Sequence, residues 1–281
     1  MLGDAPGHPI HRDLDSLPRL AQVLILLPPS EGKATPARGA HLDLGGLDLP
    51  ALTGPRERLL DLLVTASSED PTGTAVALGL GPTQADLVER NAALRTAPTA
   101  RADKIYTGVL YDALGLADLD PAARRRATRR LAVMSSLFGV VRPSDRIPAY
   151  RLSGDTNLPG AGIVSSYWKP FLDPVLSEAA GSGLVIDLRS GTYAGFWRPG
   201  PEISRKVATV RVLHEHNGTR KVVSHFNKAT KGRIVRALLT DGSNPGTPKA
   251  LAEQLGDLGW TVEVGAPSKA GTQLDVVVTE L

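Results

Sequence analysis

Lys33 closes a short polar loop, Pro28-Pro29-Ser30-Glu31-Gly32-Lys33, directly after an apolar run. A lysine there can act as a fixed charge, a general acid or, where burial or neighbours depress its pKa, a Schiff-base amine. The loop has the outline of a phosphate loop, yet it holds one Gly and lacks Gly-Lys-Ser/Thr, so it is not a Walker motif. A second block runs from Met134 through Ser135, Ser136, Gly139, Arg142, Pro143, Asp145 and Tyr150 to Arg151. A strand ending in this serine pair points Ser136 into a crevice. Arg142 and Arg151 each carry the planar fork that grips a phosphate or carboxylate through two parallel hydrogen bonds. Asp145 would orient one of them; the plainer alternative is an internal Arg–Asp pair pinning a long loop.

A third block, 224–236, puts Lys228, Lys231, Arg233 and Arg236 in the first turns of a predicted helix. Cations at a helix start oppose its dipole unless an anion sits there, and Lys228 and Lys231 share a face. A fourth, Leu78-Gly79-Leu80-Gly81-Pro82-Thr83, has the turn of a helix-hairpin-helix. The backbone amides around Gly79 and Gly81 would meet a DNA phosphate without reading sequence; a helix connection of no function is the competing reading. A fifth, the strand end 184–193, carries Ser190 and Tyr193 toward the same crevice, with an N-cap by Ser190 or Thr192 as the alternative. Trp168 and Trp197 suit core packing better than base stacking. His214 and His216, beside a predicted Asn217-Gly218 turn, are expected to face solvent rather than a metal.

These groups need elements to carry them. Apolar runs predict strands at 22–27, 131–134, 184–188, 260–264 and 274–279, with a hairpin of 207–213 and 220–225 turned by Asn217-Gly218. Helical spacing predicts helices at 55–67, 121–130, 165–180, 229–240 and 248–258, a helix beginning within 192–198, and a helix–hairpin–helix over 71–98 in which Thr83 caps the second helix. The order of elements predicts one α/β (mixed α+β) domain over 21–281 with a mixed sheet, preceded by a flexible tail, 1–20.

Composition narrows the chemistry. The 281 residues include no Cys, which excludes disulfides, thiolate nucleophiles, iron–sulfur clusters and cysteine zinc sites. No metal or cofactor is expected. The apolar run 23–27 is too short for a membrane span, so a soluble cytoplasmic protein is expected. The net charge of +3 hides a segregation. Residues 121–151 hold eight Arg against one acid, and 189–236 hold eleven Lys or Arg against two acids. If the two segments meet, they form a basic cleft suited to an anionic partner.

Taken together, these blocks resemble the peroxide stress protein YaaA family over roughly residues 22–240. The resemblance rests on the loop ending at Lys33, on Tyr106-Thr107-Gly108, on 134–151, on Trp168, on the 184–193 strand end and on 224–236. It implies a mixed α/β fold with a basic cleft, a helix-hairpin-helix element, DNA binding and protection from peroxide. Carried over by position, the family's residues are Lys33, Tyr106, Gly108, Ser136, Gly139, Arg142, Pro143, Asp145, Tyr150, Arg151, Ser190, Tyr193, Lys228, Lys231 and Gly232. The family pattern has Arg where Lys231 stands, which keeps the charge but loses the bidentate fork.

Two readings follow. The first is a DNA-binding stress protein that holds the phosphate backbone through Arg142, Arg151, Lys228, Lys231, Arg236, Gly79 and Gly81. The second is an enzyme on a nucleobase, nucleotide or similar small anion. Lys33 or Lys228 would then be nucleophile or acid–base group, with Ser136 and Tyr193 beside them and Tyr106, Asp145, Tyr150 and Ser190 in support.

Overall fold

The computed structural model describes residues 22–279, so the expected tail, 1–20, lies outside the described residues. Residues 24–27 are apolar at every position and buried, as a strand covered on both faces must be. They form β1 (Leu24–Leu27) at the centre of an eight-stranded sheet. The other strands are β2 (Leu131–Ser135), β3 (Gly139–Val141), β4 (Val185–Asp187), β5 (Val207–His216), β6 (Thr219–Lys221), β7 (Thr261–Ser268) and β8 (Gly271–Val278). In space the order is β7-β8-β5-β4-β1-β2-β3, with β6 paired to β5 beyond the end of β4. The pairs β1–β2, β1–β4, β4–β5 and β5–β8 are parallel; β3, β6 and β7 are antiparallel additions. The chain leaves β1 toward β2, returns across it to β4, and then continues away to β5. The β1–β4 boundary is therefore the switch point where a doubly wound sheet opens a crevice at its carboxyl ends.

The helices around this sheet are α1 (Thr53–Glu69), α2 (Pro71–Ala77), α3 (Asp86–Ala92), α4 (Val109–Leu114), α5 (Pro121–Arg130), α6 (Val164–Ala180), α7 (Ser224–Asp241) and α8 (Pro248–Asp257). Asn217 and Gly218 both have positive φ, 49° and 72°, the primed turn predicted for the β5–β6 hairpin. Its second strand ends at Lys221 and α7 begins at Ser224, so the predicted strand 220–225 is shortened and the predicted helix 229–240 lengthened. The helix expected within 192–198 is a single turn, Gly191–Ala194. Thr83 caps nothing: it lies in a 3-10 turn, Pro82–Gln84, and α3 starts at Asp86. His214 is buried, with its ring 5.3 Å from that of Phe226, because the alternation of β5 turns it inward; the solvent-facing expectation is corrected.

Gly232 lets α7 approach α4 closely. A Cβ there would run into the carbonyl oxygen of Leu110 and stand 2.9 Å from Ala113 Cβ. Gly232→Ala is expected to destabilise the fold by ~1–3 kcal/mol, although alanine is the better helix former. Urea denaturation that shows unchanged or increased stability would refute the close packing.

Many of the basic side chains in the two segments are engaged by acceptors of the fold itself. Arg126 and Arg130 of α5 donate to the carbonyls of Leu239, Thr240, Gly242 and Ser243 at the end of α7. Arg236 returns the favour to Leu114 and Gly115 at the end of α4. Cations are stabilising at helix carboxyl ends, where four carbonyls lack intrahelical partners. Arg124 and Arg146 also donate to backbone carbonyls, and both stay exposed, as do Arg125 and Arg129. In the second segment, Arg211 pairs with Asp275, and Arg220 with Glu215 and Glu263.

Candidate functional site

Three strand ends carry the residues of the candidate site. The loop after β1 turns back so that Lys33 bridges Tyr106 through the backbone. Ser30 holds the loop: its hydroxyl donates to the Gly32 carbonyl at 2.6 Å and accepts from Thr107 N–H at 3.1 Å. Tyr111 O–H donates to the Pro28 carbonyl at 2.6 Å, and its ring stacks on Tyr106. These contacts bring the Lys33 amine to the Ser30 carbonyl at 2.9 Å and the Glu31 carbonyl at 3.4 Å. Lys33 Nζ lies over the Tyr150 ring, 4.2 Å from its centroid, and 5.8 Å from that of Tyr106.

The wall behind the amine is a buried chain of hydroxyls. Tyr106 and Tyr150 share a hydrogen bond of 3.1 Å, and Tyr150 and Ser135 one of 2.8 Å. Ser135 Oγ also accepts from Phe138 N–H, which anchors the chain to the turn after β2. Ser136 donates to the Leu152 carbonyl at 2.6 Å. Burial pushes the phenols of Tyr106, Tyr150 and Tyr193 above their ordinary value, so all three stay protonated at neutral pH. Lys33 moves the other way. Burial disfavours its ammonium and lowers its pKa to about 7; Glu31 opposes this, while Arg151 and Arg90 add to it.

Arg151 sits at the mouth. Asn91 fixes its backbone with two hydrogen bonds, 2.7 and 2.9 Å. Its guanidinium pairs with the Glu31 carboxylate, which also accepts from Ser153 Oγ at 3.1 Å. The Nε of Arg151 is buried and has no partner. Lys231 closes the crevice from α7: its amine donates to the carbonyls of Leu188 at 2.9 Å and Arg189 at 3.3 Å, just beyond β4, and burial lowers its pKa to about 8. Lys228 lies one turn earlier and is exposed. Ser190 occupies the N-cap position of 191–194, with no side-chain cap bond.

The expected residues therefore separate. Lys33, Tyr106, Ser136, Tyr150, Arg151 and Tyr193 cluster beyond the carboxyl ends of β1, β2 and β4. Arg142 does not join them. β3 runs back along β2, so Arg142 lies near Leu131, about 13 Å of strand away from Ser135. There its Nη1 donates to the Leu131 carbonyl, and its backbone N–H donates to Asp145. Asp145 also accepts from Asp48 N–H, and the Arg142 guanidinium faces the Asp48 carboxylate at 3.6 Å. Gly79 and Gly81 form the turn after α2, where their amides donate to the Val76 carbonyl and Gln84 Oε1. Trp168 and Trp197 are buried, and Trp168 donates to the Ser136 carbonyl at 2.7 Å. The residues missed were Ser135, Glu31, Tyr111 and Asn91. Strand alternation already separates Ser135 from Ser136, so both faces of the serine pair were open to inspection.

Among the described residues no three His, Asp or Glu side chains gather as metal ligands, and no helix is long and apolar enough to cross a membrane.

The family model for peroxide stress protein YaaA matches residues 23–263. A UPF0246 protein of Streptomyces coelicolor is 53% identical over 261 residues, covering 92% of this chain and 100% of that protein. A UPF0246 protein of Corynebacterium efficiens is 41% identical, covering 88% of this chain and 97% of that protein. One of Corynebacterium glutamicum is 40% identical, covering 77% of this chain and 84% of that protein. The match spans the whole crevice, from β1 through Lys33 and Arg151 to α7, and on this evidence the chain belongs to the peroxide stress protein YaaA family.

Proposed function

We propose that the protein acts on a small anionic substrate, such as a nucleotide or a similar phosphate- or carboxylate-bearing molecule, in the Lys33 crevice. The carrying observation is an amine with a pKa of about 7, packed against Tyr150 beside Arg151, at the carboxyl end of the central strand. A lysine in this state exchanges protons at neutral pH, and protonated phenols beside it can donate to an oxygen that gains charge. Arg151 supplies the fork for the anion, which would replace Glu31. A role under peroxide stress follows from the family description and is part of this reading. Calorimetric titration with nucleoside 5′-monophosphates and short keto acids tests it. Binding by the wild type, weakened about 10–100-fold by Arg151→Met, is expected for the loss of a charge-assisted pair. Absence of binding across the panel would sink it.

DNA binding is the second reading. It draws on a separate groove of about 500 Å3 lined by Arg101, Lys104, Arg124 and Arg125, of which Lys104, Arg124 and Arg125 are exposed. Phosphate contacts there would give affinity that falls steeply with salt and hardly depends on sequence. Fluorescence anisotropy with duplex DNA between 50 and 200 mM salt separates the readings, because Lys104→Ala and Arg125→Ala should weaken duplex binding and leave the crevice untouched.

A further inference from the structure

We propose that Lys33 is an imine-forming nucleophile, and that its substrates are aldehydes or ketones carrying a carboxylate or phosphate. The inference rests on the small-anion reading of the crevice and names its substrate class. Three features of the site carry it.

The first is the set of contacts at the amine. Its hydrogen-bond partners are backbone carbonyls, those of Ser30 and Glu31, and among the described residues no carboxylate pairs with it. The nearest acid in sequence, Glu31, turns its carboxylate to Arg151 and Ser153 instead. A carboxylate on Nζ would hold the ammonium protonated and block attack. Carbonyl acceptors favour the ammonium far less than a carboxylate does, and burial favours the free amine. Near pH 7 about half the population is neutral, against roughly one molecule in a thousand or fewer for an ordinary lysine.

The second is the hydroxyl wall. Amine attack on a carbonyl forms the C–N bond and moves the carbonyl π electrons to oxygen. Proton transfer from nitrogen to that oxygen gives a neutral carbinolamine. This intermediate must lose its oxygen as water, which requires a proton at the departing hydroxyl; the nitrogen lone pair then forms C=N, and the iminium gives up its N–H proton, which replaces the one supplied. The net change is one imine and one water, with no oxidant or reductant. Tyr150, over whose ring the amine lies, is a protonated phenol backed by Tyr106 and Ser135, which can restore its proton along the chain.

The third is the distance in sequence and role between nucleophile and anchor. Arg151 is fixed by Asn91 and has a buried Nε without a partner. It can therefore hold an acid group while the carbonyl of the same molecule faces Lys33.

Reductive trapping tests the proposal. The protein is incubated at pH 7 with sodium cyanoborohydride and glyoxylate or glyceraldehyde 3-phosphate, and the modified lysines are located by peptide mass spectrometry. Lys33 should be labelled at least ~10-fold faster than exposed Lys228. The Lys33 label should be absent in Lys33→Arg, and in Arg151→Met it should fall for both anionic probes but not for propionaldehyde. Circular dichroism melting checks that each variant is folded. If Lys33 labels no faster than Lys228 while the crevice still binds the anions calorimetrically, the imine proposal fails and the small-anion reading stands. If neither labelling nor binding occurs, both fail.

Discussion

Arg56→Ala is expected to lower the unfolding free energy by ~3–5 kcal/mol, as removing one member of a buried charged network does. Arg56 lies in α1 and is fully buried. Its Nε donates to the Phe138 carbonyl at 3.0 Å, and its Nη2 donates to the Val140 carbonyl at 2.8 Å. Its Nη1 donates to the Asp48 carbonyl, also at 2.8 Å. One guanidinium thus joins α1, the turn after β2, strand β3 and the loop before α1. Truncation removes a charged donor from three carbonyls, of which that of Phe138 keeps the Val140 N–H, and removes the positive charge that faces Asp145. Arg56→Lys keeps a charge but not the planar fork that meets carbonyls on separate elements, so most of the loss should persist. Urea denaturation of both variants checks this; a loss under 1 kcal/mol for Arg56→Ala would show that the network is dispensable.

Lys33→Met should have the opposite sign. The unfolded lysine binds its proton up to about pH 10.5, whereas the folded one releases it near pH 7. Between those values the unfolded state holds more protons, so wild-type stability rises with pH across this window. Below pH 7 the folded protein bears the full cost of a buried ammonium. At 1.36 kcal/mol per pH unit the ceiling is ~5 kcal/mol, and the water that still reaches this half-buried group reduces it to ~2–3 kcal/mol. Lys33→Met should therefore be more stable than the wild type at pH 6–7, with the advantage fading toward pH 10.5. A variant equally stable or weaker at pH 6.5 would mean that the ammonium is well solvated. A gain in stability from deleting the central amine is the exchange expected where function needs a strained group.

The fold was largely legible because its signals are local. The apolar run of β1, the Asn217-Gly218 turn and the period of α5 and α6 each lie within one element, and each element formed. The misread ends have local causes as well. Pro82 starts a 3-10 turn instead of the helix that Thr83 would have capped, and α7 starts at Ser224, within the predicted strand, once Val222 and Val223 have left the sheet.

What the sequence determined by itself was the set of polar groups placed after apolar strands. Lys33 follows β1, Ser135 and Ser136 end β2, and Ser190 follows β4, because a parallel strand must surrender its polar residues at its carboxyl end. What only the tertiary structure decided was which of the charged groups would meet. Arg142 and Arg151 are close in sequence, yet the reversal at β3 sends the first to the opposite end of the sheet. Arg126, Arg130 and Arg236 read as a basic surface, but helix packing delivers them to bare carboxyl ends. Glu31 and Asn91, unremarkable in the sequence, converge on Arg151 from separate loops and helices. Charge is a property of composition, but its availability depends on which backbone acceptors the fold places within 3 Å, and that is settled by long-range packing.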